Sequence, residues 1–294
     1  RRSGATDSAR YCYSVWMRHL VMAYGSGLPT QPGVVAELGP GASLGVGLAA
    51  LLSGADRYVA LDAIPYASDQ RNLDVLDGLV ELFARRERIP DQAEFPNVEP
   101  LLDSYEFPSH ILTGPRMAEA LDEARVASIR GSLSGVGAGG HRDSPVAYAA
   151  PWYDSSVIEH SSVDMVFSQA VLEHVNDLSG AYEAMRQWLK PSGVMSHVID
   201  FKCHDTAGEW NGHWAYSNLV WRLIVGNRPY LLNRQPHSAH VELLDSFDFR
   251  IIRDEKTRSD SGIARERLAP RFRHLSDDDL TTSGAFIQAV CAKA

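Results

Sequence analysis

Two groups of residues in this sequence have the types and spacing to do chemistry. The first is Glu37-Leu38-Gly39-Pro40-Gly41-Ala42-Ser43-Leu44-Gly45, followed by Asp62 at the end of the next apolar run. Glycines without Cβ let a backbone turn sharply and approach a ligand closely. A carboxylate beyond the following strand can accept hydrogen bonds from ribose hydroxyls. The second group is Gln169, Glu173 and His174, then Asp200, Lys202, His204, Asp205, Glu209, His213 and Trp214. A histidine near its ordinary pKa can take a proton from a hydroxyl. Mixed carboxylate and imidazole donors can also hold a divalent cation; Asp200, His204, Glu173 and His174 offer them, with Glu173, His174 and Asp200 as the expected ligand set. With no thiolate site visible, magnesium or manganese is expected ahead of zinc.

These groups need elements to position them. The run 8–24 reads as a helix capped by Ser8, and GSGLPTQPG punctuates its end. VVAEL at 34–38 is a buried strand, the glycine segment turns into a small-residue helix ending near Gly54, and RYVALDA is the second strand. A strand, glycine turn, helix and strand in succession begin a parallel α/β sheet. Residues 70–88 are helical by period, one helix is expected between 108 and 126, and 66–140 reads as an insertion. Further on, 163–168 is a strand, 177–190 an amphipathic helix stopped by Pro191-Ser192-Gly193, 194–201 a strand and 218–226 a helix. The runs LLDSFDFRIIRDEKTR and GAFIQAVCAKA read as a closing pair of strands. The expectation is a single α/β domain over 1–294. It is a Rossmann-like, seven-stranded, mostly parallel sheet with helices on both faces and an antiparallel C-terminal strand. A helical lid at 1–30, the insertion and a cap at 205–240 complete it.

Composition narrows the function classes. Apolar residues make up 45% and charged residues 22%, the balance of a folded globule. The net charge of −9 disfavours nucleic acid as a partner. No run is long enough and apolar enough for a membrane span, and the N-terminal stretch lacks the apolar core of a secretory signal. Cys12, Cys203 and Cys291 are odd in number and far apart, which points to a reducing cytoplasm and no disulfide framework.

The first motif resembles that of the class I S-adenosylmethionine-dependent methyltransferases, an acid-x-Gly-x-Gly turn after the first strand. The dinucleotide alternative would want glycine at position 44, where this chain has Leu44. The resemblance extends to Leu172-Glu173-His174-Val175 after the fourth strand and to Leu189-Lys190-Pro191-Ser192-Gly193 before the fifth. It covers roughly 34–68 and 145–201 with the closing strand pair. It implies that Gly39 and Gly41 pack on the methionine part of S-adenosylmethionine and that Asp62 holds the ribose. Glu37 is expected to organise the loop and sit near the cofactor amino group, with Ala63, Ser168 and Gln169 alongside. The family's usual acid after the third strand falls in Ala149-Ala150-Pro151-Trp152-Tyr153-Asp154, so adenine is met either by Asp154 or by stacking near Trp152. Some members bind metal through a Glu-His pair at this strand exit, usually with a further glutamate three positions earlier, where this chain has Ala170.

Methyl transfer to a hydroxyl then makes His204, His213, Asp200, His174 and His141 the candidate catalytic residues. Aromatic and hydrogen-bonding residues alternate from 210 to 240, which suits a polyhydroxylated acceptor. Trp214, Tyr216, Arg222 and Arg228 are the candidates to bind it. In overall character the chain resembles bacterial sugar O-methyltransferases, including those of mycobacterial methylmannose polysaccharide synthesis. The expected reaction is O-methylation of a sugar or polysaccharide intermediate, with Mg2+ assistance and a homo-oligomer both left open. Its rivals are a small aromatic or lipid acceptor, and a cofactor-binding subunit without turnover.

Overall fold

The computed structural model describes residues 5–134, 144–152, 154–228 and 230–292. His141 and Tyr153 lie outside the described residues. The first half runs α1 (Ala9–Gly25), β1 (Val34–Leu38), α2 (Gly45–Leu52), β2 (Arg57–Leu61), α3 (Asp69–Ala84), α4 (Gly114–Ala120), α5 (Glu123–Ser132) and β3 (Val146–Ala149). The second half runs β4 (Val163–Gln169), α6 (Leu178–Trp188), β5 (Leu189–Asp200), α7 (Asn218–Val225), α8 (His237–Ser246), β6 (Phe249–Arg258), α9 (Asp277–Thr281) and β7 (Thr282–Cys291).

The seven strands form one sheet in the order β3-β2-β1-β4-β5-β7-β6, and only β7 runs against its neighbours. Successive side chains of a strand point to opposite faces, and the core divides accordingly. Val35, Tyr58, Ala60, Met165 and Phe167 pack under α1 to α5. Ala36, Leu38, Val59, Leu61 and Val166 pack under α6 and α8. Both faces are covered, which is why the inner strands read as continuous apolar runs rather than alternating ones. The strand order reverses between β1 and β4, and a crevice opens beyond their carboxyl ends.

Several expectations are corrected here. The segment 1–30 was expected as a lid, but α1 is a core helix. Trp16 and Met17 are fully buried, and Trp16 packs on Phe167 of β4 with ring centroids 5.5 Å apart. Buried Arg18 fastens the next segment to α1, donating to the carbonyls of Pro90 at 3.1 Å and Pro100 at 2.6 Å. The insertion is shorter than 66–140, because α3 belongs to the helical layer through Leu76, Leu79 and Phe83. Two helices replace the one expected between 108 and 126, since Asp122 ends the first and caps the second by accepting from Arg125 N–H at 3.1 Å. Strand β5 starts at Leu189 rather than 194, with a register shift opposite Val163–Met165 that accommodates Pro191 to Gly193. The run LLDS belongs to α8, so the closing strand begins only at Phe249. Among the described residues, no helix is long and apolar enough to cross a membrane, and all three cysteines are free and buried.

The glycine turn is held from beneath by a buried knot. A Cβ on Gly47 would lie 2.0 Å from the Tyr58 ring, so only glycine lets that ring lie against α2. The Tyr58 hydroxyl then donates to Glu37 Oε2 at 2.5 Å. Burial raises the Glu37 carboxyl to about 8, against the pull of Tyr58 and the Gly47 N–H. Glu37 is thus held protonated in the folded chain at neutral pH.

Two outcomes follow from this knot. Gly47→Ala should destabilise the fold by roughly 1–3 kcal/mol through overpacking, read as a lower urea midpoint; an unchanged midpoint would show that the ring can move aside. Between pH 5 and 8 the folded chain keeps a proton on Glu37 that the unfolded chain has lost, so this group lowers stability as pH rises. Glu37→Gln cannot titrate. Its stability relative to the parent should therefore climb from pH 5 to pH 8 in paired urea titrations, and parallel curves would refute the shifted pKa.

Candidate active site

The crevice beyond β1 and β4 is a cleft of about 1230 Å³. Gly39 and Gly41 form one wall, with φ of +66° and +78°. A Cβ on Gly39 would come within 2.7 Å of Val171 at the exit of β4, so the two strand ends meet only because this residue is glycine. Asp62 and Ala63 form the adjoining wall, with Ile64 and Tyr66. Asp62 Oδ1 accepts from Ala63 N–H at 2.7 Å. Its Oδ2 is buried without a hydrogen-bond partner among the described residues. Burial raises this carboxyl, partly offset by the N–H groups of Ala63, Ile64 and Gly41. A carboxylate oxygen in that position lacks the donor that a diol would supply.

The amides following the glycine turn are already occupied. Ala42 N–H and Ser43 N–H donate to Thr6 Oγ1 at 2.9 and 3.3 Å, Leu44 N–H to Asn72 Oδ1 at 2.9 Å and Gly45 N–H to Ser43 Oγ at 3.1 Å. A helix N-terminus binds phosphate through free N–H groups. Here four successive ones are consumed by side chains. The loop fits a ligand that brings no pyrophosphate to the helix, which argues against a dinucleotide on grounds independent of Leu44.

At the far end of the cleft stand Trp152, Asp154 and Ser155. Trp152 is braced edge-on by Trp188, with centroids 5.4 Å apart. Asp154 accepts from Ser156 N–H at 2.8 Å, and that bond with the Ser156 side chain holds its carboxyl below the usual range. Both candidates for meeting adenine therefore share the cleft.

The ends of β4 and β5 converge as the spacing predicts. Glu173, His174 and His204 place one ligating atom each within 4.8 Å of one another. The His174 and His204 rings meet edge to face at 5.1 Å. His204 Nε2 lies 3.3 Å from Asp200 Oδ2, while Asp200 Oδ1 accepts from Lys202 N–H at 2.9 Å. Burial opposes ionisation of Asp200, but His204 and Lys202 outweigh it and hold the carboxyl below its usual range. Glu173 is buried, both its oxygens lack a hydrogen-bond partner among the described residues, and burial pushes its carboxyl well above the usual range. Asp200, expected as a metal ligand, lies beside His204 and outside this cluster, while His204, also among the expected donors, joins it.

Other expected site residues sit elsewhere. Glu37 does not face the cleft, being turned into the sheet toward Tyr58. Ser168 is fully buried and shares a 2.8 Å hydrogen bond with His197 Nδ1. The Gln169 amide donates to the Glu99 carbonyl at 3.2 Å. His213 is packed between Trp214 and Trp221, and burial lowers it to about 3, so it stays a neutral core group off the cleft. Trp214 is fully buried, with Nε1–H donating to the Arg234 carbonyl at 3.0 Å. Tyr216 stacks on Trp221 and donates to the Thr206 carbonyl at 3.0 Å. Arg222 is exposed on α7 and does not line the cleft. Of the four acceptor candidates only Arg228 reaches it, joined by Tyr230 and Leu231. Asp205, named with the polar residues after the fifth strand, lines the cleft as well. Sequence reasoning missed Val171, Asn176 and Thr6. The first two directly adjoin motif residues, and that adjacency was the available signal. Nothing in the sequence pointed to Thr6.

Residues 141–196 match the family model of a methyltransferase domain. No curated protein sequence matches the chain significantly. Among solved structures, the chain is similar to YcgJ of Bacillus subtilis, at 13% identity over 95% of this chain and 100% of that one, with a TM-score of 0.45. It is also similar to a Haloferax volcanii chain in complex with the Trm112 methyltransferase activator, at 13% identity over 97% and 95% of the two chains and a TM-score of 0.45. A third is phosphoethanolamine N-methyltransferase 2 of Haemonchus contortus in complex with S-adenosyl-L-methionine, at 15% identity over 95% of this chain and 53% of that one, with a TM-score of 0.44. The family match falls on the strands β3 to β5 of a sheet whose order and single antiparallel strand belong to the same fold. Residues 141–196 thus match a methyltransferase domain, within a sheet that has the strand order and single antiparallel strand of the Rossmann-like methyltransferase fold.

Proposed function

We propose that the chain is an O-methyltransferase in which His204, oriented by Asp200, takes the proton from the acceptor hydroxyl. The carrying observation is His204, paired with Asp200 and lining the cleft that Gly39, Gly41 and Asp62 also line. S-adenosylmethionine held there would supply a sulfonium methyl group, whose carbon would bond to the acceptor oxygen in line as its bond to sulfur breaks and the thioether S-adenosylhomocysteine leaves. The open Oδ2 of Asp62 is suited to a ribose hydroxyl, and Trp152 or Asp154 to the adenine. With Nε2 facing Asp200 at 3.3 Å, His204 Nδ1 is the nitrogen that would receive the hydroxyl proton. Asp200 steadies the imidazolium that results. His174 restricts the His204 ring from the side.

The acceptor we favour remains a polyhydroxylated one, a sugar or polysaccharide intermediate. The support is narrower than the sequence suggested, because Trp214 and Trp221 are core residues. It rests on the polar groups of the cleft, Asn176, Asp177, Asp205 and Arg228. A divalent cation is a second reading, favoured by the unpartnered Glu173 carboxyl beside His174 and His204. Those three residues would hold it, and it would lower the pKa of the acceptor hydroxyl. Two imidazoles among three donors fit manganese or another transition metal better than magnesium.

Asp62→Ala should weaken S-adenosylmethionine binding about tenfold or more, as expected for a lost charged hydrogen bond. Calorimetry checks this, and parental affinity would remove Asp62 from the site. His204→Asn and Asp200→Asn should lower kcat about a hundredfold on a hydroxylated acceptor found by screening with labelled cofactor, leaving cofactor affinity unchanged. Parental turnover in both would overturn the base assignment. Turnover that survives excess chelator rules out the metal reading and leaves the base in place. Loss of turnover that manganese restores supports the metal.

A further inference from the structure

Helix α7 presents two unlike faces. Trp221 packs on Leu231 and Leu232, and the Arg234 guanidinium lies 4.6 Å from the Trp221 ring centroid, so the inner face is firmly seated. On the outer face Leu219, Val220 and Leu223 are 71%, 41% and 76% exposed. Leucines of that exposure, side by side on two turns, form a patch rather than scattered surface residues. The surroundings are basic. Arg222, Arg228 and Arg271 are exposed, and Arg271 is joined to the first residue of α7 through Asn218 Oδ1 at 2.6 Å. From 210 to 241 the sequence has no Asp or Glu at all, in a chain whose net charge is −9. The segment after α7 runs directly into the cleft through Arg228, Tyr230 and Leu231.

We propose that α7 docks on an anionic bilayer surface, its leucines entering the headgroup boundary and its arginines pairing with lipid phosphates, so that the cleft mouth faces the membrane. An apolar face rimmed by arginine is what an interfacial helix requires. A protein partner is disfavoured by size. A stable interface covers about 800 Å² on each side and 20–30 residues, whereas this patch is three side chains. The overall negative charge leaves the basic rim as the region to turn toward an anionic surface.

The test is co-sedimentation of the full chain with vesicles of phosphatidylcholine alone and of an equimolar mixture with phosphatidylglycerol. The chain should pellet with the mixed vesicles and far less with the neutral ones. Leu219→Glu with Leu223→Glu should abolish pelleting while leaving thermal melting and S-adenosylmethionine affinity as in the parent. Arg222→Gln should weaken binding to the mixed vesicles about fivefold. A parent that stays in the supernatant overturns the proposal, as does a double glutamate variant that still pellets. A parental dimer that the double variant splits, with no vesicle binding by either, assigns the patch to a second copy and equally overturns it.

Discussion

The hydrogen bonding of the glycine turn constrains everything built around it. A strand that ends in two left-handed glycines and enters a helix exposes a row of N–H groups, and such a row attracts anions. In this chain Thr6, Asn72 and Ser43 fill that row from three directions. Thr6 can do so only because α1 is fixed in the core immediately after it, and Asn72 only because α3 packs against α2. The turn is thereby specialised by its neighbours. What remains open is the concave backbone of Gly39 and Gly41 and one oxygen of Asp62, which suits a nucleoside diol and a chain without phosphate.

The same turn depends on charge being absent beneath it. Glu37 stands at the end of β1 with apolar strands on either side, and ionising it there would cost more than the Tyr58 and Gly47 hydrogen bonds return. The carboxyl accepts from the Tyr58 hydroxyl of β2 and from the Gly47 N–H of α2, so it ties the two elements under the loop. Its place in the family motif is accounted for by support of the backbone from below, with no contact to the cleft required.

Much of the fold was legible in the sequence because parallel strands buried on both faces leave continuous apolar runs. VVAEL, RYVAL and VDMVF were found for that reason, and the glycine turn and Asp62 were fixed by their position after two of them. The convergence of Glu173, His174, Asp200 and His204 was legible too, since adjacent parallel strands bring their carboxyl ends together. The errors share a physical origin. Whether an aromatic residue faces a cleft or the core depends on long-range packing, and Trp214, His213 and Tyr216 close on Phe272 and Trp221, which local pattern cannot foresee. α1 was read as a lid because its buried surface is spread around the helix by the later segment 85–112, which wraps it.

Backbone strain divides the cleft into two halves that solve one problem differently. On the cofactor side the left-handed positions are Gly39 and Gly41, where the conformation costs nothing and no side chain is wanted. On the acceptor side they are Ala170, His204, Asp205 and Tyr230, with φ between +46° and +63°. Each of these carries a Cβ that disfavours such a φ, by of order 1–3 kcal/mol. Glycine would relieve that cost, but it would also remove the imidazole and carboxylate whose aim depends on the bend. The backbone turned against its preference at His204 and Asp205 brings both residues to the cleft wall. On the function proposed above, the loop after β5 would carry the acceptor chemistry and the turn after β1 would hold the cofactor.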